Sequence, residues 1–284
     1  MSSNKPGSVL FEVPIKSDSS VSVGGHGTVV CTQPTTGVYL LTFTNGPDNR
    51  LVTAFCRAMI LALDIIEHRY EAGVVITTSS IPKFYSNGMD LEHAAFSRDY
   101  MHQSLYGLWR RLLTYPMPTI ALCNGHAFAG GFMLAMMHDY RVMNPHKGYL
   151  CLNEIELGAA LRAPMTAVFR MKLNGTVLRK MVLEAHRYKA LEALRDGIVD
   201  HVGGLDETLA YVEELKLVEK ARPGLTGASV YGELKREMWR ETLEMIDNWA
   251  EDSVRPAQMA MEIKKERATS LKKVEAWEKT KAKL

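Results

Sequence analysis

The sequence predicts an α/β protein whose C-terminal part is almost wholly helical. Short apolar runs, typical of buried strands, alternate with helical patterns from residue 37 to about residue 202. From residue 173 onward nearly all patterns are helical. The chain has 284 residues and is 46% hydrophobic, so it can bury a substantial core. We therefore predict an N-terminal arm over residues 1–36, an α/β core over residues 37–205 and a helical C-terminal region over residues 206–284.

Each predicted element rests on a local pattern. Residues 1–36 mix Ser, Gly, Pro and Lys with short β-branched stretches, which favours a flexible or weakly stranded arm. The predicted strands are short apolar runs at residues 37–44, 74–78, 119–122 and 197–200. The predicted core helices occupy residues 51–70, 95–115 and 132–137. Their apolar residues recur at helical spacing or fill the whole segment. Because strands and helices alternate, we expect right-handed crossover units.

The C-terminal region repeats helical patterns without intervening strands. These patterns cover residues 177–185, 190–197, 206–221 and 231–249. A last amphipathic segment over residues 256–281 is basic, with lysines and arginines outnumbering its glutamates. A charged stripe of this kind is typical of a solvated helix face, and it could also contact phosphate or a partner subunit.

The charge balance excludes a strong general attraction to nucleic acid or membranes. With 34 basic and 32 acidic residues the net charge is +2, so any anion recognition must be local. No apolar run reaches the roughly 18 residues of a membrane-spanning helix, and the N-terminus lacks a secretory-signal pattern. The four cysteines show no Cys-x-x-Cys spacing, and we expect them to be reduced thiols of the core. They are Cys31, Cys56, Cys123 and Cys151. We expect a soluble intracellular protein with no metal site and no nucleic-acid or membrane partner.

The last three residues, Ala282-Lys283-Leu284, resemble the small-basic-Leu tripeptide that addresses proteins to the peroxisome. The import receptor reads this tripeptide at the free C-terminus. We therefore predict a peroxisomal protein that binds the import receptor, with the cytosol as the fallback location. The alternative is that these residues are simply a frayed helix end.

A glycine pair precedes the most apolar predicted helix. Ala129-Gly130-Gly131 leads into residues 132–137, and glycines there let a ligand approach the backbone closely. A helix start also offers N–H groups without helical partners, which suits negative charge. No Lys follows the glycines and the spacing is not Gly-x-Gly-x-x-Gly, so neither common nucleotide-binding loop is indicated. The alternative is a glycine pair that serves close packing of a strand on a helix.

A second irregular loop follows the predicted strand at residues 74–78. Its Ser86-Asn87-Gly88 sequence indicates a tight turn, after which the N–H of Met89 can point away from the sheet. Together with Gly130, this loop offers two backbone donors at the ends of neighbouring strands. Main-chain oxyanion holes are built in this way.

Three motifs in order, FYSNGMDL, NGHAFAGG and LNEIELG, resemble the crotonase (enoyl-CoA hydratase/isomerase) family. The resemblance covers residues 37–202. It implies a spiral of stacked ββα units with a C-terminal helical region that builds trimers or hexamers. It also implies an acyl-CoA thioester substrate, with coenzyme A as part of the substrate and no separate cofactor. The resemblance further implies that the N–H groups of Met89 and Gly130 hold the carbonyl oxygen of the thioester.

The same resemblance predicts which residues surround the substrate. Those expected to contact it, besides the two oxyanion donors, are Ser86, Asn87, Gly88, Asp90, Leu91, Gly131, Met133 and Leu157. Hydratases of the family carry one Glu three residues after the oxyanion glycine and a second Glu in the later segment. In this chain the first position is Met133 and the second is Glu154.

Methionine cannot orient or deprotonate water, so hydration by two carboxylates is not supported. A single carboxylate suits a proton shuttle that moves the double bond of a 3-enoyl-CoA to give 2-trans-enoyl-CoA, a step of fatty-acid β-oxidation. For this role Glu154 needs a pKa raised by an apolar pocket from about 4.3 toward roughly 6 to 7. The sequence therefore predicts an enoyl-CoA isomerase with Glu154 as the catalytic residue.

Other polar residues near these motifs have structural explanations. Glu156 alternates with Glu154 along a segment predicted to be extended, so only one of them can enter the pocket. His126 lies beside a turn glycine, and we expect it to be a loop histidine. His138-Asp139 looks like half of a catalytic triad, but the chain has no Gly-x-Ser-x-Gly motif, and we expect Asp139-Tyr140-Arg141 to anchor the end of the helix.

Two other functions remain open at this point. The first is another reaction of the same family, either hydration or a lyase step on a CoA ester. The second is a non-catalytic homologue that binds acyl-CoA, or RNA through the basic segment at residues 256–281. RNA binding of that kind would weaken steeply with salt.

Overall fold

The computed structural model describes residues 7–16, 26–225 and 227–281. The chain divides into two compact units, Met1–Ile246 and Asp247–Leu284. Within the described residues, no helix is both long enough and apolar enough to cross a bilayer. The tripeptide Ala282-Lys283-Leu284 lies outside the described residues, so its role as a peroxisomal address stays a prediction.

The described part of the first unit contains ten strands. Their bounds are β1 Val9–Lys16, β2 His26–Thr35, β3 Val38–Asn45, β4 Val74–Ser79, β5 Phe84–Ser86, β6 Thr119–Cys123, β7 His126–Phe128, β8 Tyr140–Met143, β9 Leu150–Cys151 and β10 His201–Val202. Seven of them form one sheet in the order β1-β2-β3-β4-β6-β8-β10. The pairs β1-β2 and β2-β3 are antiparallel, and all later pairs are parallel. The other three form a small parallel sheet in the order β5-β7-β9.

Helices follow the strands in a regular order. Their bounds are α1 Thr53–Arg69, α2 Leu91–Phe96, α3 Gly107–Leu113, α4 Gly130–Met136, α5 Glu154–Leu157, α6 Ala163–Lys172, α7 Gly175–Leu183, α8 Ala190–Arg195, α9 Leu205–Glu214, α10 Leu217–Lys220, α11 Val230–Met238, α12 Arg240–Asp247 and α13 Trp249–Lys281. A π-helical segment, Tyr100–Tyr106, precedes α3. Three times the chain passes from the large sheet to the small sheet and then to a helix: β4-β5-α2, β6-β7-α4 and β8-β9-α5. This repeat is the predicted ββα spiral.

The core lies between the large sheet and the helices. All six residues of β4 are buried, as the continuous run of β-branched residues from Val74 to Thr78 predicts for a strand covered on both faces. Phe43 of β3 packs edge-on against Phe55 of α1 and Tyr85 of β5, with ring centroids 5.3 and 5.2 Å apart. These contacts join the two sheets to α1. The four cysteines are buried and free, as the sequence predicts.

The N-terminal segment differs from the predicted arm. Its described residues form β1 and β2, which belong fully to the large sheet. Val29 and Cys31 alternate along β2 and are completely buried. Because β2 is bonded to β1 on one side and to β3 on the other, these apolar side chains complete the core.

The helix predicted over residues 95–115 is interrupted. The helix α2 ends at Phe96, and Asp99 has a φ of 60°, a left-handed conformation that an α-helix cannot include. The chain then forms the π-helical segment before α3 begins. The strand predicted over residues 197–200 is also misplaced, because the N–H groups of Ile198 and Val199 close the end of α8 by donating to the Ala193 carbonyl. The strand β10 begins only at residue 201.

The second unit consists mainly of α13, a helix of 33 residues. It includes the basic segment at residues 256–281, whose side chains are exposed. The described helices from α6 onward agree with the prediction of a helical C-terminal region. The boundary after residue 205 stays a prediction.

Candidate active site

The small sheet brings the predicted chemical groups to one place. Its three strands are parallel, and each ends just before one of them. Met89 follows β5, Gly130 follows β7 and Glu154 follows β9. Since the carboxyl ends of parallel strands meet at the same edge of a sheet, the two backbone amides and the carboxylate reach a common edge.

The backbones of Met89 and Gly130 lie in contact. A Cβ added to Gly130 would lie 3.3 Å from the Met89 nitrogen and 3.1 Å from Met89 Cγ. A Cβ added to Gly88 would lie 3.0 Å from the Gly130 nitrogen, and Gly88 also has a φ of +83°. Only glycine accepts such a close approach together with this backbone conformation. The two predicted donors therefore belong to segments that touch.

Neither predicted donor has a backbone acceptor in the part of the chain that the structure describes. Among the described residues, the N–H groups of Met89 and Gly130 donate to no backbone carbonyl. Between β7 and α4, Ala129 turns the chain with φ 48° and ψ −123°. This conformation is costly for a residue with a side chain, roughly 1 to 3 kcal/mol, and such strain is found mostly at functional sites.

Glu154 is a buried carboxylate without a partner. Glu154 is the first residue of α5, and only 8% of it is exposed. Neither of its carboxylate oxygens has a hydrogen-bond partner among the described residues. Burial raises its pKa to about 7, and the residue's own backbone N–H opposes part of this shift. A carboxyl group in this state can take up and release a proton near neutral pH.

These groups surround a cavity of about 340 Å³. Its lining residues are Arg50, Asn87, Met89, Leu91, Ala129, Asn153, Glu154, Leu157 and Ala159. Among these described residues, Glu154 is the one acid. A cavity of this size, largely apolar with a few converging polar groups, is typical of a small-molecule site.

Four of the residues predicted to contact substrate line this cavity: Asn87, Met89, Leu91 and Leu157. The others lie beside it or in the protein interior. Ser86 is fully buried and donates a hydrogen bond of 2.7 Å to the Asn49 carbonyl. Gly131 packs so closely on the same strand end that an added Cβ would lie 2.2 Å from the Ser86 carbonyl oxygen.

Gly88, Asp90 and Met133 also have identifiable positions. Gly88 supports the contact between Met89 and Gly130 described above. Asp90 caps α2 by accepting a hydrogen bond of 2.8 Å from the His93 N–H. Met133 is completely buried in the main hydrophobic core, so the position at which hydratases carry a Glu is apolar here. Whether these residues contact a substrate stays a prediction.

Glu156 differs from Glu154 for a reason that the sequence did not show. The segment is the short helix α5 rather than an extended strand. The Glu156 carboxylate is half exposed and pairs with Arg187 at 3.4 Å. Only Glu154 of the two acids lines the cavity, as expected. The two side chains are separated by a helical turn and not by the alternation of an extended strand.

The histidines near the motifs have structural partners. His126 Nδ1 accepts a hydrogen bond of 3.2 Å from the Tyr149 N–H, as expected for a loop histidine. His138 is fully buried, and burial lowers its pKa to about 3, so it cannot act as a base near neutral pH. Asp139 forms a buried ion pair with Lys235 at 2.9 Å, which ties the end of α4 to α11.

Sequence reasoning missed two polar residues of the cavity wall. Arg50 follows the turn after β3, and its guanidinium reaches the Met89 carbonyl. Asn153 directly precedes Glu154, and its buried Oδ1 has no hydrogen-bond partner among the described residues. Asn153 stands inside the LNE motif and could have been found there. Arg50 had no local signal, because 39 residues separate it from its partner Met89.

A second cavity does not share these features, and the described residues form no metal-ion cluster. A cavity of about 370 Å³ lies between β1, α1 and α2, but neither the predicted donors nor Glu154 line it. Within residues 7–16, 26–225 and 227–281, no group of three His, Cys, Asp or Glu side chains is placed to hold a metal ion.

Comparisons with known proteins agree with the motifs and the fold. The family described as "Enoyl-CoA hydratase/isomerase" matches residues 33–222. The chain is 31% identical to "Enoyl-CoA delta isomerase 3" of Arabidopsis thaliana over 77% of this chain and 95% of that protein. It is 32% identical to "Enoyl-CoA delta isomerase 1, peroxisomal" of the same plant over 72% of this chain and 88% of that protein.

Solved structures show the same fold. A probable enoyl-CoA hydratase from Mycobacterium tuberculosis superposes with a TM-score of 0.67 at 23% identity, over 82% of this chain and 96% of that chain. The human mitochondrial delta3-delta2-enoyl-CoA isomerase superposes with a TM-score of 0.63 at 23% identity, over 81% of this chain and 95% of that chain. The family match, the plant relatives and the ββα spiral lead to one conclusion: this chain belongs to the crotonase, or enoyl-CoA hydratase/isomerase, family.

Proposed function

We propose that the protein is an isomerase that converts 3-enoyl-CoA to 2-trans-enoyl-CoA in the oxidation of unsaturated fatty acids. The observation that supports this most directly is the single unpaired carboxylate of Glu154 in a cavity whose hydratase position is occupied by buried Met133. With one acid there is a group to move a proton, but no second acid to position a water. The plant relatives named as enoyl-CoA delta isomerases support the same reaction.

The chemistry has two linked steps. Glu154 removes a proton from C2 of the 3-enoyl thioester, and the electrons move onto the thioester oxygen as a dienolate. The N–H groups of Met89 and Gly130 stabilise this oxygen. Glu154 then returns the proton to C4, which leaves the double bond between C2 and C3. The loss of one such donor typically raises a barrier by about 2.7 to 4 kcal/mol, so the pair can supply a large share of the acceleration.

The remaining parts of the proposal concern the setting of the reaction. The balanced reaction needs no oxidant, metal or separate cofactor, since coenzyme A enters with the substrate. We infer that the protein assembles as a trimer or hexamer, as its family implies. Ala282-Lys283-Leu284 would bind the peroxisomal import receptor, and the Arabidopsis relative named as peroxisomal supports this location.

The pH dependence of kcat/KM should report the Glu154 carboxyl. The base must be ionised to accept the C2 proton, and its pKa is raised to about 7. We therefore expect kcat/KM for a 3-enoyl-CoA to fall by about tenfold for each pH unit below that value. Initial rates measured from pH 5 to pH 9 would show this acid limb. An acid limb near the ordinary glutamate pKa would contradict the buried state described here.

The reaction itself is tested with two substrates. Purified protein is incubated with 3-hexenoyl-CoA and, separately, with 2-hexenoyl-CoA, and the products are separated by chromatography. We expect 2-trans-hexenoyl-CoA from the first and no 3-hydroxyhexanoyl-CoA from the second. Water-dependent loss of 2-hexenoyl-CoA without isomerisation would instead establish a hydratase, and no turnover of either substrate would favour a binding protein.

A further inference from the structure

Arg50 makes the contact that has no part in the proposed mechanism so far. Its Nη1 donates a hydrogen bond of 3.0 Å to the Met89 carbonyl oxygen. Among the described residues that line the cavity, Arg50 is the one cation. The side chain is about one third exposed, at 32%. Charged donors form stronger hydrogen bonds than neutral ones. This contact therefore fixes the peptide that follows the Met89 amide.

The next residue fixes the peptide that carries that amide. The Leu51 N–H donates a hydrogen bond of 2.9 Å to the Gly88 carbonyl. The Gly88 carbonyl and the Met89 N–H belong to one planar peptide group, so a bond to the first orients the second. Residues 50 and 51 thus hold the two peptide planes on either side of the Met89 Cα.

The guanidinium is itself held in place. Its Nε donates to Asp48 Oδ2 at 3.0 Å, and the same oxygen accepts a hydrogen bond of 2.7 Å from Asn87 Nδ2. The Asp48 carbonyl also accepts from the Asn87 N–H at 2.9 Å. The Asp48 side chain is only 14% exposed. Asp48 therefore links Arg50 to the start of the loop whose end Arg50 contacts.

The Arg50 guanidinium donates to Met89 and Asp48 and makes no hydrogen bond to the Glu154 carboxylate. Burial raises the pKa of Glu154, and its two carboxylate oxygens have no hydrogen-bond partner among the described residues. A cation that neutralised the base would weaken it as a proton acceptor. Because Arg50 bonds to Met89 instead, its positive charge lies beside the predicted oxyanion hole.

We propose that Arg50 is a positioning residue that orients the Met89 amide toward the thioester oxygen of the substrate and keeps a fixed positive charge beside it. This inference rests on the proposed function. It predicts that Arg50 matters more in the transition state, where the oxygen carries charge, than in the bound ground state.

The test compares Arg50→Met and Arg50→Lys with wild type. A misplaced oxyanion donor should lower kcat for 3-hexenoyl-CoA by about 10- to 100-fold in Arg50→Met, while KM changes by less than about threefold. Arg50→Lys should fall between the two, because lysine keeps the charge but not the planar fork that reaches both Met89 and Asp48. The matched control is Arg179→Met, which removes an exposed arginine of α7 that pairs with Glu184 and should not change kcat.

Two further readouts separate positioning from simple support of the fold. The acid limb of kcat/KM should stay near the wild-type value in Arg50→Met, whereas a collapsed pocket would hydrate Glu154 and move the limb toward its ordinary pKa. Binding of acetoacetyl-CoA, whose acidic C2 allows its enolate to be followed by ultraviolet absorbance, should yield less bound enolate in Arg50→Met at equal occupancy. This enolate readout needs no turnover, so it remains valid if the protein proves not to be an isomerase.

The outcomes are distinct. A kcat loss with an unchanged acid limb and a reduced enolate signal supports the positioning role. Unchanged kcat and enolate signal in Arg50→Met would overturn it. A fall in kcat accompanied by a shifted acid limb and a lower melting temperature would also overturn it, because Arg50 would then act only through the stability of the loop.

Discussion

Replacing Glu154 with glutamine is expected to abolish isomerisation while acyl-CoA still binds. Glutamine keeps the shape of the side chain but cannot accept the C2 proton at neutral pH. A positioned general base typically contributes about 10²- to 10⁴-fold, so kcat for 3-hexenoyl-CoA should fall by at least about 10³-fold, since here one group performs both proton transfers. Calorimetric titration with the saturated analogue hexanoyl-CoA should give a dissociation constant close to that of wild type.

The same substitution should stabilise the protein at alkaline pH. The folded-state pKa of Glu154 is raised to about 7, so the stability that this group contributes is present below its unfolded pKa and is lost as the pH rises through about 7. A rise of the pKa from an ordinary glutamate value of 4.5 to about 7 corresponds to a loss on the order of 3 kcal/mol, at 1.36 kcal/mol for each pKa unit. Glutamine does not ionise and avoids this loss.

Urea unfolding at pH 5 and pH 8 measures this effect. The free energy of unfolding of Glu154→Gln minus that of wild type should be more positive at pH 8 than at pH 5, which means that the variant gains stability relative to wild type as the pH rises. Glu156→Gln is the matched control, since the Glu156 carboxylate lies on the same short helix, half exposed and paired with Arg187. It should change neither kcat nor the pH dependence of stability. Full activity of Glu154→Gln would show that another group moves the proton.

The three candidate positions of the site could be singled out in the sequence because each lies in a local motif. Met89 follows a Ser-Asn-Gly turn, Gly130 begins a helix after a small residue, and Glu154 stands in the LNE segment. The sheet that unites them could not be predicted. Its strands, Phe84–Ser86, His126–Phe128 and Leu150–Cys151, are too short to show the alternation by which strands are recognised.

Other features depend on contacts between distant parts of the chain. The segment before residue 36 contains Ser, Gly and Pro, which favours an arm, but pairing with β3 and burial of Val29 and Cys31 make β1 and β2 part of the sheet. Local composition cannot show such pairing, because the pairing depends on β3 and on the apolar surface of α1, and both lie later in the sequence. The contact of Arg50 with Met89 has the same character, since it depends on how two turns meet.

Replacing Gly130 with alanine is expected to lower kcat/KM for 3-hexenoyl-CoA by about 10²- to 10³-fold, the range found when one oxyanion donor is lost. The new Cβ would lie 3.3 Å from the Met89 nitrogen and 3.1 Å from Met89 Cγ. It would therefore crowd the Met89 side chain and occupy space beside the Met89 N–H, where the thioester oxygen must approach. The flexible Met89 side chain can move, so the fold should persist.

Gly175→Ala supplies the matched control. Gly175 begins α7 as Gly130 begins α4, but an added Cβ meets nothing within 4 Å there. This variant should retain wild-type kcat/KM and show an equal or slightly higher melting temperature, because alanine is a better helix former. If Gly130→Ala retained full activity with an intact fold, the thioester oxygen could not lie between the Met89 and Gly130 amides. The charge of the dienolate would then have to be stabilised by another hydrogen-bond donor of the cavity wall, such as the Nδ2 amide group of Asn153.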